Sequence, residues 1–102
     1  MKRFIFLDPP KFLNMHSVYV LQSLKDQTLY LGYSSNVKAR IKLHNSGRVF
    51  TTKNKMPLRL IYCELFTDRR DAMQRELYLK TGWGRNYLQR ILRHTLENRS
   101  KI

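Results

Sequence analysis

The sequence predicts an α+β fold in which helices flank a three-stranded antiparallel sheet, in the order ββαβαα. Three features support this prediction: two short segments rich in β-branched and aromatic residues, a longer apolar segment later in the chain, and helix-spaced apolar residues around it. A chain of 102 residues is long enough to bury one hydrophobic core, so we expect one domain.

The chain begins with a segment that is expected to stand apart from this domain. Residues 1–15 contain Pro9-Pro10, which block a helix, and they show no amphipathic pattern. We therefore predict a flexible extension at residues 1–15, a domain at residues 16–98 and a short tail at residues 99–102.

A hairpin is predicted next. Residues 17–23 read SVYVLQS and residues 28–33 read TLYLGY, and both segments favour strands. A two-residue turn at residues 25–26 places Tyr19 opposite Gly32, and the same register places Leu21 opposite Tyr30. Both tyrosines then lie on one face of the sheet, and Gly32 is expected to leave an open place beside Tyr19 for a ligand.

The first helix is predicted at residues 37–46, between capping candidates at 34–36 and a stop signal at Gly47. Arg40 and His44 are four residues apart, so they lie on one face of this helix. A guanidinium suits bidentate contact with phosphate, and an imidazole can take or give a proton. The same pair is also common on ordinary solvated surfaces, so it does not identify a site alone.

The rest of the chain alternates loop, strand and helix. Residues 48–56 form a basic loop, and residues 58–66, LRLIYCELF, form a strand whose near-continuous apolar character favours the centre of the sheet. A helix is predicted from residue 67 or 68 to residue 80, and Gly82 and Gly84 are expected to break it. The last helix, at about residues 86–97, has helix-spaced Leu88, Ile91, Leu92 and Thr95.

Glu76 stands out because a helical wheel places it in the middle of the apolar arc of its helix. A buried carboxylate is costly unless it is paired or coordinates a metal. One interpretation is a salt bridge to Lys80, four residues on. The other is a site for Mg²⁺, which often takes one or two protein carboxylates and keeps its other waters.

The charge of the chain indicates its partner. It has 20 Lys and Arg against 7 Asp and Glu, a net charge of +13 and a pI near 10.4, which is typical of nucleic-acid binding. An acidic membrane surface is a weaker alternative, because no long basic amphipathic helix is present. The side chains expected to contact nucleic acid are Arg48, Lys53, Lys55, Lys80 and Arg85.

Cys63 is the only cysteine, so no internal disulfide can form, and its apolar surroundings indicate a small core residue. Every apolar run is too short to span a membrane. The four apolar residues near the start are too few for a signal peptide. We therefore predict a cytoplasmic protein.

Taken together, these motifs resemble the GIY-YIG nuclease superfamily. Val18-Tyr19-Val20 stands at the position of the first motif and Tyr30-Leu31-Gly32 at that of the second, with the tyrosines 11 residues apart. The segments SSNVKARIKLHNSG and MPLRLIYCELFTDRRDAMQRELYLKTG resemble the Arg-containing helix and the third strand with the Glu-containing helix. The similarity covers about residues 17–92 and is greatest to small single-domain members, which resemble the nuclease domain of the excision-repair incision subunit. Ser17 and Val18 stand where the family's first motif opens with glycine.

This resemblance implies a metal-dependent endonuclease that hydrolyses phosphodiester bonds in DNA, in repair or processing. It implies that Glu76 holds Mg²⁺ or Mn²⁺, and that Arg40 neutralises charge developing on the phosphate. Tyr19 activates the attacking water, aided by Tyr30 and His44, and its pKa is expected to be lowered by the metal and nearby cations. One phosphate is expected to touch Tyr19, Tyr30, Arg40 and His44 at once.

Two alternatives remain open at this point. The chain is a nucleic-acid-binding module with an idle nuclease site, or it is a basic ribosome-associated protein. RNA is not excluded as the partner, and a targeting protein cannot be identified from the sequence. Metal-dependent nicking of plasmid separates the nuclease from the binding module, whereas salt-sensitive binding fits both.

Overall fold

The computed structural model describes residues 15–97. Its elements are β1 (His16–Ser23), β2 (Leu29–Ser34), α1 (Val37–His44), β3 (Leu58–Phe66), α2 (Arg69–Leu79), α3 (Gly82–Ile91) and α4 (Arg93–Glu97). The predicted α+β fold with a three-stranded antiparallel sheet is confirmed. The predicted extension (apart from Met15) and the predicted tail lie outside the described residues. Within residues 15–97, no helix is both long and apolar enough to cross a membrane.

The central strand of the sheet is β1, not β3. The strand order is β2-β1-β3, and both neighbours pair with β1 in antiparallel fashion. The prediction that β3 lies at the centre was therefore wrong. β1 is buried from Ser17 to Ser23. Three of these residues, Ser17, Gln22 and Ser23, are polar, so a prediction based on the length of apolar runs underestimated the burial of this strand. β3 is apolar because helices cover part of it, while one edge remains unpaired within the described sheet.

The hairpin has the predicted register and the predicted turn. Tyr19 lies opposite Gly32 and Leu21 opposite Tyr30, as predicted. Residues 24–27 connect the strands, with residues 25 and 26 at the centre of the turn, and the backbone N–H of Ser23 donates to the Thr28 carbonyl across the hairpin at 2.9 Å. The turn therefore fixes the pairing of the two strands that carry the tyrosines.

The two faces of the sheet have different chemistry. The apolar face carries Val18 and Val20 of β1 and packs against α2, α3 and α4, whose buried residues are Ala72, Leu79, Leu88, Leu92 and Leu96. The tyrosine face carries Tyr19 and Leu21 of β1 and packs against α1, together with Leu58, Tyr30, Val37, Ile41 and Cys63. Because side chains alternate along a strand, β1 supplies both faces.

α2 ends before the two glycines, as predicted, but the next helix begins at Gly82 and not at about residue 86. Thr81 caps α3, its hydroxyl accepting from the backbone N–H of Gly84 at 3.1 Å. A Cβ at Gly84 would lie 2.2 Å from the carbonyl oxygen of Tyr78. Gly84 therefore lets the start of α3 pack directly against the end of α2.

The last predicted helix is interrupted at Leu92, which separates α3 from α4. Its buried residues are Leu88, Leu92 and Leu96, spaced by four. Ile91, another apolar residue with the predicted helical spacing, is exposed. The apolar stripe follows i, i+4 and i+8 and leaves Ile91 on the solvent side.

Candidate active site

Tyr19 lies at the centre of the tyrosine face and is 1% exposed. Its ring crosses over Gly32 on the neighbouring strand, where an added Cβ would lie 2.5 Å from the Tyr19 hydroxyl oxygen. The open place that the sequence predicted beside Gly32 is thus filled by Tyr19 itself. Glycine is needed there so that the buried ring can lie flat against β2.

His44, the last residue of α1, is 0% exposed and uses both ring nitrogens. Its Nε2 lies 3.0 Å from the Tyr19 hydroxyl oxygen, and its Nδ1 lies 2.7 Å from the Thr52 hydroxyl oxygen. The Tyr30 ring packs edge-on against the imidazole, with centroids 4.9 Å apart. The helix is anchored at its start by Asn36, whose side chain accepts from the backbone of Ala39 at 3.1 Å. His44 therefore joins the central strand to the loop after α1.

Thr52 is the site residue that the sequence reading missed. It lies in the loop that was predicted only as basic, yet it is buried against His44. The ends of the loop are fixed: the Asn45 side chain hydrogen-bonds the backbone of Leu58 in both directions, at 2.9 and 2.8 Å, and the Ser23 hydroxyl donates to the Lys55 carbonyl at 2.6 Å. The only sequence signal was a pair of uncharged threonines inside a basic segment.

Tyr30 and Arg40 are half-buried and border the buried pair. The Arg40 guanidinium lies near both tyrosine hydroxyls, and the Tyr19 hydroxyl in particular raises the pKa of Arg40. The expectation that one phosphate touches all four side chains does not fit this arrangement, because Tyr19 and His44 are enclosed. Of the four side chains, only Tyr30 and Arg40 have solvent-exposed surface that a ligand can contact.

Burial has the largest effect on the pKa values of Tyr19 and His44. It raises the pKa of Tyr19, and the nearby Arg40 guanidinium offsets only part of this effect. Burial, and then the positive charge of Arg40, lowers the pKa of His44. The protein groups alone therefore do not lower the pKa of Tyr19, contrary to the expectation from the sequence. At neutral pH the site contains a neutral tyrosine hydrogen-bonded to a neutral histidine, below a guanidinium.

Glu76 lies on α2, which packs on the apolar face, and its carboxylate is close enough to Tyr19 to add to the effect of burial in raising the pKa of that hydroxyl. Its side chain is 14% exposed and forms a salt bridge of 3.2 Å with Lys80, which is 52% exposed. The salt-bridge interpretation thus describes one contact of Glu76. A helical wheel of this helix places Leu77 on the same apolar arc as Glu76, but Leu77 is 68% exposed, so the buried arc is narrower than the wheel predicts.

The donor set around Glu76 is compatible with a weakly held divalent cation. Residues 15–97 contain no group of three or more His, Cys, Asp or Glu side chains arranged to hold a metal ion. Mg²⁺ and similar hard cations take one or two carboxylates and retain several waters, so a single carboxylate fits such an ion. A site for Zn²⁺, which requires three or four protein ligands, does not fit.

The basic residues predicted to bind nucleic acid fall into two groups. Arg48, Lys53 and Lys55 belong to the loop after α1; the Lys53 ammonium lies 4.8 Å above the ring of exposed Phe50, and Lys55 is paired with Asp26. Lys80 and Arg85 instead line a groove of about 600 Å³ at the β2 edge, whose walls are mainly apolar. Tyr30 also borders this groove, so it lies between the groove and the buried pair.

Comparison with known proteins gives a consistent result. The family model of the GIY-YIG catalytic domain matches residues 15–87. A UPF0213 protein of Bacillus licheniformis is 44% identical over 68 residues, which cover 66% of this chain and 69% of the relative. A UPF0213 protein of Staphylococcus haemolyticus is 45% identical over 67 residues, or 65% of this chain and 80% of the relative. The solution NMR structure of a UPF0213 protein of Bacillus halodurans is 32% identical, covers 76% of this chain and 84% of that one, and has a TM-score of 0.49.

Proposed function

Because this chain belongs to the GIY-YIG family, a family of nuclease domains, we propose that it is a metal-dependent endonuclease that hydrolyses phosphodiester bonds in DNA. The observation that carries the proposal is the 3.0 Å contact between the Tyr19 hydroxyl and His44 Nε2, next to the Arg40 guanidinium. This contact brings together a proton acceptor (His44), a proton carrier (Tyr19) and a phosphate ligand (Arg40). The net charge of +13 supports a polyanionic substrate.

Substrate binding starts at Arg40. Its guanidinium stays protonated at every pH of interest and can hold two phosphate oxygens at once. Arg40 and Tyr30 are the site residues with exposed surface, so the scissile phosphate contacts them first. Tyr19 becomes reachable when these two side chains adjust around the phosphate. Arg40 then also neutralises the charge that develops on the phosphorus oxygens.

The attacking water loses its proton to Tyr19. A neutral tyrosine is a poor base, so Tyr19 passes its own hydroxyl proton to His44 Nε2 as it takes one from the water. The water oxygen forms a bond to phosphorus, the bond from phosphorus to the leaving oxygen breaks, and the leaving oxygen takes up a proton from a solvent water. His44 afterwards returns its proton to Tyr19, which releases one to solvent. The lowered pKa of His44 keeps Nε2 free to accept at neutral pH.

Glu76 is the residue that would hold the cation. When bound, Mg²⁺ or Mn²⁺ supplies Lewis-acid stabilisation of the negative charge on the phosphate and on the leaving oxygen. Lys80 must give up its contact with Glu76 for this to happen. Because the Lys80 side chain is 52% exposed, losing that salt bridge costs little, about 1 kcal/mol or less.

The test compares variants in a plasmid-nicking assay. We expect Arg40→Ala and Glu76→Gln each to lower metal-dependent nicking by at least about 100-fold, with circular dichroism spectra like that of the native protein. Arg40→Lys does not restore activity, because an ammonium lacks the planar fork. Supercoiled plasmid, branched DNA and RNA are tested with Mg²⁺, Mn²⁺ or EDTA. Preference for branched DNA would support a role in DNA repair or processing.

Lys80→Met is the control for Glu76, because it removes the salt bridge and keeps the carboxylate. If Glu76 holds the cation, this variant keeps its nicking rate at saturating DNA, and only the DNA concentration it requires rises, because Lys80 is also predicted to contact nucleic acid; Glu76→Gln loses the rate itself. Equal losses in both variants would assign Glu76 to the salt bridge alone. Cleavage by Glu76→Gln at the native rate would refute the proposed metal site.

A further inference from the structure

The position of Thr52 raises a question about the protons on His44. A neutral imidazole carries one N–H, so one ring nitrogen donates a hydrogen bond and the other accepts. The two partners of His44, Tyr19 and Thr52, are both hydroxyls, and a hydroxyl can act in either direction. The ring is fully buried, so the N–H of either tautomer depends on one of these two hydroxyls as its acceptor.

The two possible arrangements differ in function. With the proton on Nε2, His44 donates to the Tyr19 oxygen and Thr52 donates to Nδ1, so His44 cannot accept the Tyr19 proton. With the proton on Nδ1, His44 donates to the Thr52 oxygen at 2.7 Å, and Nε2 accepts from Tyr19 at 3.0 Å. Only the second arrangement fits the proposed proton transfer.

Arg40 also favours the second arrangement. A guanidinium has only N–H donors, so Arg40 can present only donors to the neighbouring Tyr19 oxygen. If His44 Nε2–H also pointed at that oxygen, two N–H donors, one of them on a cation, would converge on it; with Nε2 unprotonated, a lone pair of the ring faces the positive charge instead. Donation from Tyr19 to Nε2 removes this conflict.

We propose that Thr52 is a positioning residue that holds His44 in the Nδ1–H tautomer, so that Nε2 can accept the proton of Tyr19. This inference rests on the proposed function for its catalytic consequence. The Thr52 hydroxyl lies in the same loop as the exposed side chains of Phe50 and Lys53. The loop therefore carries side chains that face solvent, beside one that sets the protonation pattern of the buried site.

The experiment measures the tautomer directly by ¹⁵N NMR of histidine side chains in the metal-free protein. Thr52→Val removes the hydroxyl and keeps the shape, whereas Thr52→Ser keeps the hydroxyl. We expect Nδ1–H in the native protein and in Thr52→Ser, and a shift towards Nε2–H in Thr52→Val. His16, whose Nδ1 lies 2.7 Å from the Tyr33 hydroxyl, is an internal reference that should not change.

Kinetics give the second measurement. We expect kcat of Thr52→Val to fall about tenfold or more, with KM changed less than about twofold, and Thr52→Ser to keep kcat within about twofold of native. Nε2–H in the native protein, or an unchanged tautomer in Thr52→Val, would overturn the proposal. Failure of the native protein to cleave any nucleic acid would instead refute the proposed function, because the NMR comparison decides the tautomer without activity.

Discussion

The apolar face and the tyrosine face are built from alternate residues of one strand, yet they are stabilised differently. Val18 and Val20 point into a cluster of aliphatic side chains from three helices. Tyr19, between them in sequence, points into a network of hydroxyls and an imidazole in which every polar atom depends on a neighbour. The first face gains stability from burial alone, whereas the second gains it only while its hydrogen bonds are complete.

The difference teaches that stability and activity can be altered separately in this domain. A change on the apolar face should weaken the fold and leave the site chemistry intact. A change on the tyrosine face should affect the site even where the fold survives. The following three experiments test this separation.

The largest expected effect is on the apolar face. Leu79 is fully buried in the core cluster, so Leu79→Ala should lower the free energy of unfolding by about 2–5 kcal/mol, through lost burial and a new cavity. Below its melting temperature, the folded fraction should nick DNA at the native rate. Chemical denaturation and nicking are measured on the same sample.

Leu77→Ala is the matched control, because Leu77 lies two residues away on the same helix but is exposed. Its effect on the free energy of unfolding should stay within about 0.5 kcal/mol. A loss of specific activity in folded Leu79→Ala would show that the two faces are coupled. The proposed separation of stability and activity would then be wrong.

A smaller effect on stability, combined with loss of activity, is expected at Gly32. The new methyl of Gly32→Ala would lie 2.5 Å from the Tyr19 hydroxyl oxygen, so the enclosed ring must move. We expect the free energy of unfolding to fall by about 1–3 kcal/mol. We also expect nicking to fall, because the Tyr19 contact with His44 is displaced.

Gly82→Ala provides the comparison, since a Cβ at Gly82 meets no atom within 4 Å. As a substitution in the first turn of α3, it should leave nicking unchanged and leave stability the same or slightly higher. If Gly32→Ala nicks DNA as well as Gly82→Ala does, the position of Tyr19 over Gly32 has no catalytic role.

The sequence was sufficient for the parts of the molecule that follow local rules. The turn at residues 25–26 and the alternation along β1 and β2 predicted the pairing of Tyr19 with Gly32, and helical spacing predicted that Arg40 and His44 lie on one face of α1. Both rules act within one or two elements, so no knowledge of the tertiary structure was needed. The family resemblance gave the fold for the same reason: its motifs preserve order and spacing.

The failures concern contacts that form only in three dimensions. The centre of the sheet was assigned to β3 because composition does not show which strand gains two neighbours. The start of the last helix was predicted about four residues too late, because the close contact of Gly84 with Tyr78 of the preceding helix cannot be read from the sequence. Thr52 belongs to no periodic pattern, and only the folded loop brings its hydroxyl to His44. Such residues require the structure.

The smallest expected effect is a pH dependence that originates on the tyrosine face. Burial, and then Arg40, lowers the pKa of His44 in the folded protein, and unfolding returns it to the usual histidine value of 6.5. Below pH 6.5 the unfolded chain therefore binds more protons at this residue than the folded protein does. The free energy of unfolding should thus fall as the pH is lowered from about 6.5 to about 5, a range above most carboxylate titrations.

His44→Gln removes this contribution, so its melting temperature should depend less on pH in that range than the native one does, whatever its absolute stability. His94→Gln is the control, because the His94 side chain is exposed and lies outside the tyrosine face; the reduction in pH slope should be larger in His44→Gln than in His94→Gln. Equal slopes in all three proteins would mean that His44 is no harder to protonate in the fold than in water. Its Nε2 would then be partly protonated near neutral pH and less able to accept the proton of Tyr19.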